Sequence, residues 1–356
     1  MTERILTLKK ARKYLLFSLL ICSFLLANST AFAQEEHAES ESFDAGKMIM
    51  EHILDSHEWH VFTFGHFHGT VPLPVILYSP TNGLAIFMSS KFHHGEETYA
   101  GYKYEEGKIE SLDGNVFYDI SITKNVVAML FSMALMCWVL ISVANTYKRS
   151  PNTAPKGVQS LLEPIIIFVK DEIAKPSIGE ERYQRFLPFL LTVFFFIWLN
   201  NMLGLVPIIP GGANLTGNIA VTMVLAMFTF VITTFSTNKG YWVHIFNTPG
   251  VPWWLKFPIP IMPLVEFMTV FTRPSVLLIR LFANITAGHI IALVFVSMIF
   301  IFGEINIFLG YGVGVFSVLF NVAMTFLELL VGFIQAYVFT LLSALYFGMA
   351  KVEEHH

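Results

Sequence analysis

Residues 274–303 read PSVLLIRLFANITAGHIIALVFVSMIFIFG, and Arg280 stands in the middle of the longer apolar run 263–302. A charge at mid-bilayer costs about 2.5–3.5 kcal/mol on insertion scales. An arginine cannot escape by losing its proton, because its pKa stays above about 12. A chain that holds such a residue at that depth is read as using it, with ion movement as the default use.

The rest of the composition agrees with a membrane protein. The chain has 356 residues, 54% hydrophobic and only 13% charged, and its mean hydropathy is +0.61. A soluble domain carries about 25% charge. Cys22 and Cys137 are the two cysteines, so no disulfide framework is read. Residues 1–33 have the form of a secretory signal: a basic start at Arg4, Lys9, Lys10, Arg12 and Lys13, an apolar core over 14–26, and a small-x-small site at Ala31-Phe32-Ala33.

Residues 34–122 are polar and acidic and read as a small exported α+β extension. A short helix is expected to end over 48–54. Alternating stretches at 60–64, 71–78 and 84–89 predict strands, and the turn 79–83 makes the last two a hairpin. The extension is rich in histidine, but it has no cysteine and no fixed ligand spacing, so no metal site is read there.

Residues 123–356 form the membrane domain. The expected architecture is all-α, with spans at 126–147, 186–205, 219–237, 263–302 and 305–350. The last two runs exceed one bilayer thickness and hold no polar loop that could turn a hairpin, so each is read as one long, strongly tilted helix. Basic residues crowd the first loop (Lys148, Arg149, Lys156, Lys170, Lys175, Arg182, Arg185) and mark the third (Lys239, Lys256). This alternation predicts five spans, an outside N-terminus and an inside C-terminus. The stretch 158–173 is amphipathic and is expected on the inner interface.

At about 100° per residue, Glu266, Arg273, Arg280 and Asn284 share one stripe of the fourth span, while His289 faces the other way. On the last helix Asn321, Glu328, Gln335 and Tyr346 also share a face. Two polar stripes inside apolar helices read as the walls of an aqueous path or ion relay, or as buried polar groups joining helices.

The stretch Arg280-Leu281-Phe282-Ala283-Asn284-Ile285-Thr286-Ala287-Gly288-His289 resembles the signature of subunit a of F-type ATP synthases. So do Pro188-Phe189-Leu190, Asn200-Asn201-Met202-Leu203-Gly204-Leu205-Val206-Pro207, the segment 214–218 and Gln335-Ala336-Tyr337-Val338-Phe339. The resemblance covers roughly 125–350 and leaves 34–122 unexplained. It implies proton translocation through two offset half-channels, beside a ring of c subunits that each carry a carboxylate. Arg280 would be the barrier between the half-channels. His289 and Glu328 would form an acid–histidine pair on the outer path, in the order familiar from mitochondrial members. Gln335 would lie close to the arginine, and Asn284 would line a path with Asn321. Arg273 and Glu266 would be inner-half charges. The implied partners are the c-ring, peripheral-stalk b subunits, the remaining synthase subunits and the lipid bilayer, with no nucleic acid. The implied location is a bacterial inner membrane.

No glycine-rich loop with a phosphate-binding lysine occurs, so the chain is read as non-catalytic by itself and as needing no cofactor. Two other readings stay open at this point: a secondary transporter or ion channel with Arg280 as a substrate clamp, and an envelope structural protein working through 34–122.

Overall fold

The computed structural model describes residues 43–356 apart from 65–66, 96, 106, 150–153, 207–211, 247–251, 253–260 and 351–356. The signal-peptide reading of 1–33 lies outside the described residues.

The segment before the first long helix contains α1 (Ala45–Ile53) and seven strands among the described residues. They are β1 (Glu58–Phe64), β2 (Phe67–Pro72), β3 (Pro74–Ser79), β4 (Gly83–Met88), β5 (Tyr102–Glu105), β6 (Lys108–Ser111) and β7 (Tyr118–Asp119). They pair antiparallel as β1-β2, β4-β3-β7 and β5-β6. The hairpin around 79–83 is present, with Ser79 opposite Gly83. The expected strand 71–78 is instead two strands, broken at Leu73 between Pro72 and Pro74. Neither proline has an N–H for a ladder, and Leu73 turns its own N–H to His57 O at 3.3 Å. One face of β3 packs Val75 and Leu77 against Phe92, Tyr102 and Ile109.

This segment is tied to the first long helix, α2 (Lys124–Arg149). Asp55 Oδ1 accepts from the Asn125 N–H at 3.0 Å, and its Oδ2 accepts from the Thr123 hydroxyl at 2.7 Å. A carboxylate supplied from 70 residues away thus satisfies one of the orphan donors of a helix start. Lys124 N–H donates to Ser56 O at 3.0 Å. Trp59 packs on Ala128, one turn into α2.

The remaining helices are α3 (Val158–Phe168), α4 (Lys175–Ile178), α5 (Tyr183–Gly204), α6 (Ile219–Phe235), α7 (Lys239–Phe246), α8 (Ile261–Ile305) and α9 (Ile307–Met349). A π-helical turn over Val169–Ala174 joins α3 to α4. Four helices, α2, α5, α8 and α9, are long and apolar enough to cross a membrane; α6 is apolar but shorter, at 17 residues. The chain is therefore a mostly helical, multi-pass membrane protein.

The two long apolar runs are continuous helices of 45 and 43 residues, each about 65 Å at 1.5 Å per residue. One residue, Asn306, separates them, and its Oδ1 accepts from the Phe308 N–H at 2.9 Å to cap α9. The hairpin closes tightly because glycines face each other: a Cβ on Gly310 would lie 2.7 Å from Gly303 Cα. The bundle core sits where α5 meets α9. Phe186 stacks on Phe347 with centroids 4.8 Å apart, and Phe194 meets Phe333 edge-on at 5.8 Å. At the far end of α9, Gly348 touches the Ser177 carbonyl of α4.

Candidate ion path

The α8–α9 pair carries every charged or amide side chain singled out from the sequence. Arg280 is exposed on α8, and so are its neighbours Ile279, Ala283, Asn284 and Ala287. The buried side of this stretch belongs to Leu277 and Leu281, which pack into the core. The guanidinium therefore stands on a face that the described residues leave uncovered. Among the described residues, no carboxylate lies within ion-pair distance of it.

One cavity lies on the Asn284 side of Arg280, lined by Asn201, Leu205, Asn284, Ile285, His289, Glu328 and Val331. Asn284 and His289 are four and nine residues from Arg280, about 6 and 13 Å along the axis. The helical wheel puts His289 opposite the Arg280 stripe, yet both Asn284 and His289 reach this cavity. Glu328 of α9 lines it too and meets the His289 ring. His289 Nδ1 lies 3.8 Å from Glu328 Oε2, with side chains 20% and 13% exposed. At that distance the pair is an ion-pair contact, longer than a direct hydrogen bond. Glu328 Oε1 is buried without a hydrogen-bond partner among the described residues. A carboxylate oxygen left so is costly unless it takes up a proton or meets water.

Gly288 makes this approach possible, since a Cβ there would lie 2.6 Å from Glu328 Oε1. Asn201 fixes the back wall: its Nδ2 donates to Gly332 O at 3.1 Å, and its Oδ1 accepts from the Thr216 hydroxyl. Thr286 on α8 donates to Gly217 O at 3.3 Å. The loop 213–218 is thus bonded to α5 and α8, and α5 to α9.

A second cavity lies on the other side of Arg280. Its lining includes Thr233, Thr234, Tyr241, Arg273, Pro274 and Tyr346. Arg273 is seven residues from Arg280, about 10 Å along α8. Its guanidinium sits 5.7 Å from the centre of the Tyr346 ring, a cation–π contact between α8 and α9. Glu266 and Asn321 are half-buried, and Gln335 is buried at 6%.

The structure brings Asn284, His289 and Glu328 to one cavity and Arg273 to the other, with Arg280 between. Glu266, Asn321 and Gln335 line neither. Asn201 and Tyr241 line the cavities, Thr216 bonds Asn201 and Gly288 leaves room for Glu328; none of the four was singled out as a site residue from the sequence. Asn201 carried a legible signal, an amide near the end of an apolar span. Gly288 and Thr216 fall in stretches that resemble the family, but the contacts that matter join them to partners distant in the chain, which the sequence does not pair.

The family described as ATP synthase A chain matches residues 126–348. A second, described as a domain of unknown function (DUF8433), matches 48–126. Among similar proteins, ATP synthase subunit a 2 of Prosthecochloris aestuarii is 37% identical over 360 residues, covering 96% of this chain and 94% of that one. ATP synthase subunit a of Chloroherpeton thalassium is 42% identical over 245 residues, 67% of this chain and 69% of that one. Its counterpart in Myxococcus xanthus is 44% identical over 244 residues, 67% and 75%.

Proposed function

This chain belongs to the ATP synthase A chain family, and from that membership we propose that it carries protons through the membrane sector of an F-type ATP synthase. It is a non-catalytic subunit. Its partners are a c-ring with mid-membrane carboxylates, peripheral-stalk b subunits and the rest of the complex. The His289–Glu328 cavity is the outer half-channel and the Arg273–Tyr346 cavity the inner one, with Asn284 on the path and Asn321 and Gln335 beside it. Glu266 and Arg273 are the inner-half charges.

The observation that carries this reading is the setting of Arg280: exposed on an uncovered face, unpaired among the described residues, and flanked by a cavity on each side. Among the described residues that cation has no counter-ion, which fits a carboxylate arriving on a partner. A passing carboxylate near Arg280 has its pKa lowered and gives up its proton. The fixed guanidinium then blocks direct transfer between the two cavities. One proton moving through 100 mV releases about 2.3 kcal/mol, so a leak past Arg280 dissipates the work of several protons for each ATP.

The organisation follows from the same reading. Residues 1–33 are a signal peptide, 34–122 an exported extension and 123–356 the membrane domain. Helix α6 is the fifth span; its 17 residues rise about 26 Å, near the hydrocarbon thickness. Helices α8 and α9 lie strongly tilted along the ring. The N-terminus is outside and the C-terminus inside a bacterial inner membrane, with the basic loops at 148–185 and 239–256 on the inner side.

The test is Arg280→Ala in the assembled complex, reading ATP-driven proton pumping in inverted vesicles. Pumping is expected to be lost while the complex still assembles and hydrolyses ATP. Coupled pumping retained at the wild-type rate would falsify the assignment.

A further inference from the structure

The β4-β3-β7 sheet has one face packed on its own core and another that none of the described residues covers. On the open face Tyr78 stands opposite Leu84, Ile76 opposite Ile86, and Pro74 opposite Met88. Strand β7 extends the same rows. Tyr118 pairs with Tyr78, the Ile120 N–H donates to Ile76 O at 2.9 Å, and the Ile122 N–H donates to Pro74 O at 3.1 Å. Three rows of three apolar side chains result, with no charge among them. Leu84 is 60% exposed, Ile86 65%, Tyr118 58% and Ile120 63%. A contiguous patch of this kind marks an interaction site.

The chain path says what meets it. Two residues after Ile122 the helix α2 begins, and Lys124 N–H is bonded to Ser56 O. Leu73 N–H is bonded to His57 O, and Trp59 packs on Ala128. The row Pro74–Met88–Ile122 is therefore held beside the first turn of a membrane-crossing helix, with no slack in the connection. Lipid is then the apolar phase at highest local concentration. Tyrosines favour the bilayer interface, and Tyr78 and Tyr118 occupy the row farthest from α2. We propose that this sheet face lies against the outer-leaflet interface of the same bilayer that α2 crosses. The extension is then a membrane-seated platform. The inference rests on α2 being a membrane span and is independent of the role of Arg280.

The experiment uses the assembled complex in liposomes, with Cys22→Ala and Cys137→Ala as background. Single cysteines carrying an environment-sensitive fluorophore replace Ile86 and Ile120, with Lys103→Cys as a water control and Leu130→Cys on α2 as a lipid control. The expected result at the Ile86 and Ile120 sites is blue-shifted emission, loss of iodide quenching, and quenching by nitroxide lipids labelled near the headgroup. Emission like that of the Lys103 site overturns the proposal. So does a blue shift without lipid quenching, which points to a protein partner, or self-quenching, which points to a second copy. Failure of the Leu130 control would instead overturn the membrane reading of α2.

Discussion

A methyl group added at Gly288 would lie 2.6 Å from Glu328 Oε1, inside van der Waals contact. Gly288→Ala is therefore expected to push the carboxylate off His289 and cut ATP-driven pumping by about tenfold or more, since misplacements near 1 Å have that effect. Adding Glu328→Asp shortens the side chain and should restore part of the rate; wild-type pumping in Gly288→Ala alone would show that the approach is not tight. Outside the spans, His57 Nε2 lies 2.8 Å from Asp119 Oδ2. Burial by itself raises the Asp119 carboxyl, but hydrogen bonds from His57 and Ser121 outweigh it and hold the group below its ordinary value of 3.8. A lowered folded value means that the contribution is complete above 3.8 and is lost as pH falls through the folded value. Exchange of the Ile120 and Ile122 amides should speed up in that acid window, and His57→Ala should weaken this acid sensitivity; an unchanged profile in His57→Ala counts against the coupling. Charges in apolar helices are legible in sequence because their cost is local. Glycine at 288 is legible only once Glu328, 40 residues later, is seen to need the room.

The helix start at Lys124 depends on a side chain from another element. Asp55→Ala removes the cap and should cost about 0.5–2 kcal/mol, read as faster hydrogen exchange at the start of α2, with Asp55→Asn retaining most of the protection. Equal exchange in both variants would mean that Thr123 caps the helix unaided. At the other end of the bundle, Gly348→Leu sets a side chain against the Ser177 carbonyl. Overpacking of that kind costs about 1–3 kcal/mol, so the complex should dissociate at lower detergent or temperature; unchanged stability would show that α4 can yield. The long apolar runs predicted helices to within a few residues, because length and composition determine them. The hairpin at 79–83 was legible from its turn residues. The π turn at Val169–Ala174 was not: the amphipathic pattern of 158–173 is compatible with an unbroken helix, and the extra residue per turn leaves little trace in polarity. The Asp55 cap was equally invisible, because it joins segments 70 residues apart.

Across the whole molecule, the proposed orientation puts the basic loops at 148–185 and 239–256 on one side and the acidic extension on the other. Protease added outside right-side-out vesicles is expected to cut within 34–122 and spare 150–182; inverted vesicles should show the reverse, and equal cutting from both sides would overturn the orientation. The α8–α9 hairpin has a further consequence. Asn306 alone joins the helices, the Gly303–Gly310 contact pins them, and α8 leads without a break from Arg280 to that turn. One amino acid inserted between Arg280 and His289 would swing everything beyond it by about 100° and lift it 1.5 Å. His289 would leave Glu328, or Arg280 would leave its open face. Spacing in this hairpin is thus as exacting as chemistry.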